Sequence, residues 1–293
     1  MPETTIGFIG GSAAYRLMSE NKITGRPLGP RPTPYGDSQP VFHVNDPQGG
    51  FYFLSRHGEH GYEITAPYVN YRANIYALRD LGVRTLIAWS GPGAINENFK
   101  IGQFVVPDDI VDETKNRAYT FYENTGIGFV RQHPTFCPLL RDKICNTLAA
   151  LDLQHDNTAT YVCTQGPRLE TRAEIRKFAQ YGGDLVGMTL VPEAFLAKEL
   201  EMCYAAICYV TNYAEGVGPA RHFQPGALFE GLATPEEMAR VNAAVDRFPE
   251  IITRLTAALA EQSESPDCRC RQTMQRYRQR GDIGTDWHEW VAK

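Results

Sequence analysis

The sequence predicts an α/β fold, with strands and helices alternating around a central sheet. Two observations carry this prediction: short apolar runs of strand length alternate with segments of helical periodicity, and several apolar runs end on glycine or hydroxyl residues. Such alternation builds a sheet with helices on its faces, and the loops after the strands then form the site. Because no repeat or linker precedes residue 262, we expect one domain over residues 1–262 and a C-terminal appendage over 263–293.

The first half of the chain is predicted to form five short strands and one helix. The apolar runs predict strands at 5–10, 51–54, 84–89, 104–106 and 110–111. Pro67 suits the first turn of a helix, and apolar residues at helical spacing continue from it to Gly82. Residues 18–46 are rich in proline, glycine and polar residues, so they are predicted to be irregular.

The second half is predicted to be richer in helix. Helical spacing favours helices at 138–151, 171–181, 192–200 and 235–260, the last as one long helix with a continuous apolar side. Strands are expected at 159–163, 185–186 and 202–211, and the last is the longest apolar run. Residues 263–293 change in character, first to Ser, Glu, Pro and Asp and then to an arginine-rich stretch.

Composition and charge exclude some classes of protein. The 293 residues are 43% hydrophobic and 22% charged, which is typical of a soluble globular protein. A net charge of −5 argues against a nucleic-acid partner, which needs concentrated Lys and Arg. No apolar run approaches the length of a membrane helix, and the N-terminus lacks the pattern of a signal peptide. Five of the seven cysteines lie in apolar or helical contexts, which indicates buried thiols in a reducing cytoplasm.

Four short segments that follow predicted strands carry groups able to hold an anion. The segments are Gly10-Gly11-Ser12, Arg56-His57-Gly58, Ser90-Gly91 and Met188-Thr189. Taken singly, each has an ordinary alternative: a plain turn, a surface ion pair or, for Met188, core filling. A dinucleotide-binding fold is disfavoured, because the glycines near Gly10 lack the G-x-G-x-x-G spacing and no helical pattern follows at once. His60 is expected to be structural or solvent-facing.

Longer stretches place the chain closer to one family. They are Ile9-Gly10-Gly11-Ser12, Arg56-His57-Gly58, Asn70-Tyr71-Arg72-Ala73-Asn74, Gly166-Pro167-Arg168-Leu169-Glu170-Thr171-Arg172-Ala173-Glu174, Gly187-Met188-Thr189-Leu190-Val191-Pro192-Glu193 and Val210-Thr211-Asn212. Over roughly residues 5–260 the chain resembles the trimeric purine nucleoside phosphorylase and methylthioadenosine phosphorylase family. The resemblance implies a single-domain nucleoside phosphorylase fold with a central mixed, twisted sheet flanked by helices.

The resemblance also implies a reaction and a set of site residues. Phosphate attacks the sugar as the glycosidic bond loosens, so the protein positions and stabilises charge without a cofactor or metal. The implied phosphate-binding residues are Ser12, Arg56, His57, Ser90, Gly91 and Thr189. The implied nucleoside-binding residues are Met188, Leu169, Glu170, Asn212, Ala214 and Phe129, with Asn212 and Glu170 as the catalytic pair. Purine nucleoside and phosphate are then the partners, in a cytoplasmic salvage enzyme that forms a trimer or a dimer of trimers.

Asn212 and Glu170 indicate the base. An amide after Val-Thr suits guanine and hypoxanthine, whereas the resemblance implies aspartate for 6-aminopurines. A carboxylate at Glu170 accepts from purine N1–H, a proton that adenine lacks; the alternative is a carboxylate favoured by the start of a helix. Ala214 lacks the second aspartate of the aminopurine branch. We therefore expect phosphorolysis of a 6-oxopurine nucleoside, namely inosine, guanosine or 5′-methylthioinosine, to free base and (methylthio)ribose 1-phosphate.

The 5′ substituent stays open at the level of the sequence. The histidine expected near the start of the last long helix is absent, and His222 lies in the loop before it. Apolar Phe229 and Leu232 would suit a methylthio group. Phe129 falls in a loop that, by the resemblance, crosses from a neighbouring subunit, and core packing is an equal alternative for it.

Several departures leave other functions open. Pro92 removes one amide from the loop after Ser90, and Tyr15 could intrude on the site. The alternatives are a methylthioadenosine phosphorylase, a nucleoside hydrolase, which the Arg56-His57 pair disfavours, and a non-catalytic nucleoside-binding protein. Cys268 and Cys270 form a Cys-x-Cys that resembles the C-terminal motif of some methylthioadenosine phosphorylases. The resemblance implies a strained, easily reduced disulfide pair, and two free surface thiols are the alternative. The arginine-rich stretch after it is expected to pack on the outer surface or on a partner subunit.

Overall fold

Two mixed sheets with helices around them form the body of the protein. The computed structural model describes residues 5–45, 49–219, 225–226, 229–260 and 268–291, although not the side chains of 229 and 230. The strands are β1 Ile6–Gly10, β2 Arg26–Gly29, β3 Pro32–Thr33, β4 Gly36–Asp37, β5 Val41–Val44, β6 Phe51–Ser55, β7 Thr85–Ser90, β8 Gly93–Ala94, β9 Phe104–Val105, β10 Asp109–Glu113, β11 His155–Asp156, β12 Thr160–Thr164, β13 Leu185–Gly187, β14 Cys203–Tyr209 and β15 Asn212–Tyr213. The predicted α/β class and mixed central sheet are confirmed.

The larger sheet has eight strands in the order β11-β9-β14-β7-β1-β6-β5-β2. Its central strands β14, β7, β1 and β6 are parallel, whereas β9 and β5 pair antiparallel on either side of them. A five-stranded sheet runs β10-β12-β13-β8-β15, and β3 and β4 form a separate hairpin. Of the central strands, β1 and β14 are apolar and buried at every position because both of their faces are covered.

The helices cover the sheets. Their bounds are α1 Ala14–Ser19, α2 Tyr71–Asp80, α3 Pro138–Ala150, α4 Arg172–Gln180, α5 Leu190–Glu199, α6 Pro235–Asp246, α7 Phe248–Ala260, α8 Gln275–Arg280 and α9 His288–Val291. Thr171 and Glu174 form a capping box that starts α4. Among the described residues, no helix has both the length and the apolar character needed to cross a bilayer.

The prediction of an irregular segment over 18–46 was wrong. This part of the chain holds the end of α1 and the strands β2 to β5, and the register pairs Val41 with Leu54 of β6. Strand β2 lies at the edge of the sheet and exposes Arg26 and Pro27, so it lacks the apolar run that marks a buried strand. The helix α1 also contradicts the expectation that no helix follows Gly11 at once.

Two predicted helices have different bounds. The helix expected from Pro67 begins only at Tyr71, where the Asn70 side chain accepts from the Ala73 amide at 3.2 Å; Pro67 lies in a separate 3₁₀ turn. The single helix predicted over 235–260 is two, α6 and α7, which meet at Arg247. Pro249 has no N–H and its ring would collide with the preceding turn, so the helix cannot run through it.

The arginine-rich tail packs onto the domain. Met274, Tyr277, Trp287 and Trp290 are buried and belong to the same apolar core as the central strands. Arg278 forms an ion pair with Glu201 at 2.7 Å. Residues 261–267 and His222 lie outside the described residues, as does the side chain of Phe229, so the boundary near residue 262 stays a prediction.

Candidate active site

Four neighbouring parallel strands bring the predicted anion-binding loops together. The register sets Gly10 beside Ser55, Ile9 beside Ala88, and Cys208 beside Ser90, so β6, β1, β7 and β14 end at one edge of the sheet. The carboxyl edge of parallel strands is where α/β proteins bind ligands. The segments that contain Ser12, His57, Gly91 and Asn212 all follow these strand ends.

The second sheet closes the other side of a cavity of about 340 Å³. Its strands β12 and β13 lead into the segments that carry Glu170 and Met188. The lining residues are Gly11, Ser12, His57, Tyr62, Thr65, Ala66, Ser90, Gly91, Gly93, Pro167, Leu169, Glu170, Val186, Gly187, Met188, Thr189, Asn212, Ala214, Glu215 and Leu232. All the predicted phosphate-binding residues except Arg56, and all the predicted nucleoside-binding residues except Phe129, are in this set.

Three hydroxyl groups meet at one end of the cavity. Ser90 Oγ lies 3.1 Å from the Tyr161 hydroxyl and 3.2 Å from Thr189 Oγ1. Tyr161 is fully buried in β12, and a Cβ on Gly187 would overlap its hydroxyl, so the close approach of the two strands needs glycine. Sequence reasoning missed Tyr161. Its signal was a hydroxyl-bearing ring in a buried strand, which requires a hydrogen-bond partner.

Arg56 lies behind the cavity and not on its wall. Its side chain is fully buried, and Nε and Nη2 donate to Glu193 Oε1 and Oε2 at 2.5 and 2.8 Å. Burial lowers the pKa of Arg56, but the charge of Glu193 and its hydrogen bonds outweigh burial, so the net pKa is raised and the guanidinium stays charged. The Arg56 N–H groups that were predicted to bind phosphate therefore bind Glu193, a partner that sequence reasoning missed. Nη1 donates to the Gly10 and Trp89 carbonyl oxygens at 3.3 and 3.5 Å.

His57 lines the cavity as a neutral ring. Its Nδ1 donates to the Ile64 carbonyl at 2.9 Å, because a carbonyl oxygen can only accept. Burial and the neighbouring Arg56 charge lower the pKa of His57 to about 4. With Nδ1 protonated, Nε2 is a hydrogen-bond acceptor at neutral pH. The second histidine of this segment, His60, is exposed, which agrees with the solvent-facing alternative of its prediction.

His57 is expected to make the protein lose stability as the pH falls from 6.5 to 4. Its folded pKa of about 4 lies below its ordinary value of 6.5, so the unfolded chain binds the proton first and stability rises with pH across this window. The full shift corresponds to roughly 3 kcal/mol. Urea unfolding at pH 7.5 and pH 4.5 should show a smaller acid loss in His57→Gln than in the unaltered protein. Exposed His60→Gln is the control, and equal losses in all three proteins would contradict the prediction.

Glu170 lines the cavity from the segment between β12 and α4. Thr164 Oγ1 donates to its Oε1 at 2.5 Å, and the carboxylate also accepts from the backbone amide of Glu170 itself. Among the described residues, no other side chain donates a hydrogen bond to it. Burial raises the pKa of Glu170 above its ordinary value, and the Thr164 hydrogen bond partly opposes this shift. One carboxylate oxygen is therefore fixed in place while the other is available to a ligand.

Asn212 is held by its neighbours on both sides. Its Oδ1 accepts from Thr211 Oγ1 at 2.7 Å, and its Nδ2 donates to the Tyr213 carbonyl at 2.9 Å. An amide offers two N–H donors and two lone pairs, so one of each remains for a ligand. Asn212 is buried beside Gly93, whose Cβ position would be 3.1 Å from Nδ2. The adjacent Pro92 carbonyl accepts from the Thr211 amide at 3.0 Å.

Phe129 and Tyr15 differ from their expected positions. The Phe129 side chain is 83% exposed, so its core-packing alternative is wrong, and it lies away from the cavity of its own chain. Tyr15 is 38% exposed and does not reach the cavity wall, which contradicts the expected intrusion. Leu232, predicted near the 5′ end, does line the cavity. Sequence reasoning missed Tyr62 and Glu215, which also line the cavity.

Comparison with known proteins agrees with this architecture. The family model described as "Phosphorylase superfamily" matches residues 5–257. The "6-oxopurine nucleoside phosphorylase" of Pyrococcus furiosus is 44% identical over 220 residues, covering 72% of this chain and 80% of that protein. The "Probable S-methyl-5'-thioinosine phosphorylase" of Methanothermobacter thermautotrophicus is 40% identical over 216 residues, or 74% of each chain.

A solved structure is similar over nearly the whole chain. The crystal structure of a methylthioadenosine phosphorylase from an antarctic soil metagenomic library superposes with a TM-score of 0.81 at 30% identity. The match covers 93% of this chain and 91% of that one. Family model, relatives and fold agree, and the chain belongs to the phosphorylase superfamily, among the nucleoside phosphorylases.

Proposed function

We propose that the cavity catalyses phosphorolysis of a 6-oxopurine nucleoside: inosine, guanosine or 5′-methylthioinosine. A phosphate oxygen bonds to the anomeric carbon as the bond from that carbon to purine N9 breaks, and the electron pair leaves with the base, which takes up a proton. The products are free base and (methylthio)ribose 1-phosphate. The observation that carries the proposal is that one cavity unites a cluster of hydroxyls with Glu170 and Asn212.

Phosphate would bind at the hydroxyl end. Ser12, Ser90, Thr189 and the Gly91 amide are donors that line this part of the cavity, and Nε2 of neutral His57 would accept from a protonated phosphate oxygen. Arg56 would supply positive charge from behind Gly11, since its Nη1 is 3.7 Å from the Gly11 Cβ position. A fixed cation and fixed donors stabilise phosphate without reorganising as charge moves in the transition state.

The purine would bind between Glu170 and Asn212. The available Oε2 of Glu170 would accept from N1–H, and the second N–H of Asn212 would donate to N7 as negative charge develops on the leaving base. Met188 would lie against the ribose, with Leu169 and Ala214 beside the base. The runner-up substrate, methylthioadenosine, has no N1–H for Glu170, which is why the oxopurine is preferred here.

The 5′ end and the assembly are further parts of the proposal. Leu232 gives this end of the cavity an apolar surface that suits a methylthio group. The exposed Phe129 ring would reach the corresponding end of a neighbouring subunit in a trimer or a dimer of trimers. The enzyme would act in the cytoplasm in purine salvage, with phosphate as co-substrate and no cofactor.

Phosphate-dependent turnover tests the proposal directly. Purified protein is incubated with inosine, guanosine, adenosine, methylthioinosine or methylthioadenosine, with and without phosphate, and base release is measured by chromatography. We expect release that requires phosphate and is faster for the oxopurines. Release without phosphate would indicate a hydrolase, tight binding without turnover a binding protein, and faster turnover of methylthioadenosine the aminopurine alternative; each outcome would contradict the proposal.

A further inference from the structure

Four cysteines from three separate parts of the chain meet beside the C-terminal tail. Cys137 immediately precedes α3, Cys203 begins β14, and Cys268 and Cys270 lie in the tail. Their four sulfur atoms all lie within 4.8 Å of one another. This group, hereafter the four-cysteine cluster, lies outside the active-site cavity and has no part in the proposed reaction. The chain's other three cysteines, at 145, 163 and 208, are not members of it.

The sulfur separations suit a tetrahedral metal site. Zn–S bonds of about 2.3 Å place tetrahedral thiolate sulfurs about 3.8 Å apart. Cys268 Sγ lies 3.9 Å from Cys137 Sγ and 3.3 Å from Cys203 Sγ. A disulfide would require about 2.05 Å. Cys137 and Cys203 are buried while Cys268 and Cys270 are half-buried, so the four would enclose an ion without an open coordination position.

The surroundings favour thiolates. Cys137 is the N-cap of α3, a 13-residue helix whose positive end stabilises a negative sulfur. A cation also lies near the sulfurs. The buried Lys198 ammonium donates to the Gln132 and Pro134 carbonyls at 2.9 and 2.6 Å and is attracted by Cys270 and Cys137.

We propose that Cys137, Cys203, Cys268 and Cys270 bind one structural Zn²⁺ as four thiolates, with release of their four protons. Four thiolates around Zn²⁺ leave a net charge of −2, which the neighbouring Lys198 partly offsets. The ion joins three parts of the chain, at Cys137, at Cys203 and at the Cys268–Cys270 pair, that are 65 or more positions apart, and so ties the tail to the domain. Binding energy at such a site adds to folding stability.

The tail in turn supports the segment of Phe129. The Tyr277 hydroxyl accepts from the Phe129 amide at 2.7 Å, and Arg278 donates to both oxygens of Glu201. Loss of the ion should therefore loosen the tail and this segment together. The cavity residues Ser90, Glu170 and Asn212 make their contacts elsewhere, so the inference stands whether or not the proposed reaction is correct.

Metal content and cobalt spectroscopy test the site. The full chain is purified without chelator under reducing conditions, and zinc is measured by mass spectrometry. We expect one Zn²⁺ per chain, and Co²⁺ exchanged into its place should show the intense thiolate-to-metal absorption of a tetrahedral sulfur site. The Cys268→Ser/Cys270→Ser variant should lose at least about tenfold in metal affinity, since half of the ligands are gone. The matched control, Cys145→Ser, should retain the ion.

A second measurement does not depend on the variant folding. Trypsin cleaves after arginine, and the tail from Arg269 to Arg280 offers several such sites. Chelation of the unaltered protein should speed cleavage in the tail, and added zinc should restore protection. The inference would be overturned by reduced protein that contains no zinc and gives no cobalt–thiolate absorption. It would also be overturned by non-reducing peptide maps that show disulfides among the four cysteines in protein that binds no metal after reduction.

Discussion

Replacing Glu193 with glutamine is expected to lower the free energy of unfolding by about 3–5 kcal/mol, the cost of breaking a buried ion pair from one side. Glu193 accepts from Arg56 Nε and Nη2 and from the Tyr204 hydroxyl at 2.9 Å, and Arg56 and Glu193 are fully buried. A glutamine side chain has one acceptor oxygen, and its NH₂ group would face a donor. The Arg56 charge would then stay buried without its counter-ion. Urea unfolding at pH 7.5 measures the difference.

Two further variants distinguish the effect of breaking the Arg56–Glu193 ion pair from a general effect of losing a carboxylate. Exposed Glu97→Gln should stay within about 0.5 kcal/mol of the unaltered protein. The double variant Arg56→Met/Glu193→Leu should recover part of the loss, because apolar replacements remove both charges and not only one. If Glu193→Gln unfolds like Glu97→Gln, the ion pair does not hold this region together. If the double variant is stable yet binds phosphate weakly, the proposed contribution of Arg56 to the anion site gains support.

The sequence predicted the site residues that lie at strand ends. It did not predict those whose role depends on a partner far away in the chain. Ser12, His57 and Asn212 follow apolar strands and Ser90 ends one, so their meeting at one sheet edge follows from parallel pairing. Tyr161 and Glu193 contact partners 71 and 137 positions away. A buried tyrosine in a strand and a glutamate in a helix have many alternative partners. Which partner each one takes is decided by packing, which periodicity does not report.

The errors in the fold have similarly local causes. Strand β2 lies at the sheet edge, where exposed residues hide the apolar pattern that predicted β1 and β7 correctly. The apolar stripe from Val241 to Leu255 continues through two helices, so periodicity alone did not reveal the break, although Pro249 marks it. The four-cysteine cluster could not be predicted from the sequence for another reason. Its three parts are far apart in the chain, and Cys-x-Cys by itself is a weak pattern.

Glu170→Gln is expected to lower kcat/KM for inosine by about 10²–10³-fold, while the KM for phosphate changes little. The available Oε2 would be replaced in part by an amide that donates, so the N1–H of an oxopurine would lose its acceptor or meet a second donor. Sites built to hydrogen-bond a particular substrate group discriminate strongly, because a mismatched buried polar group is left unpaired. Adenosine has no N1–H, so its rate should not fall in parallel. Steady-state kinetics with both nucleosides measures the ratio.

The cavity holds a second carboxylate, Glu215, which provides the control. Glu215 lines the wall but is not placed on the base, so Glu215→Gln controls for loss of charge and should leave the inosine-to-adenosine ratio near its original value. Asn212→Asp tests the second residue of the Glu170–Asn212 pair. A carboxylate in place of the Nδ2 donor repels a base that gains negative charge. It also favours a purine with an exocyclic amine, which the carboxylate can accept from. Both site variants should therefore shift preference in the same direction, toward adenosine. If Glu170→Gln lowers kcat/KM equally for inosine and adenosine, Glu170 supports the fold of its loop through Thr164 and does not recognise N1. The choice of base would then have to rest on Asn212.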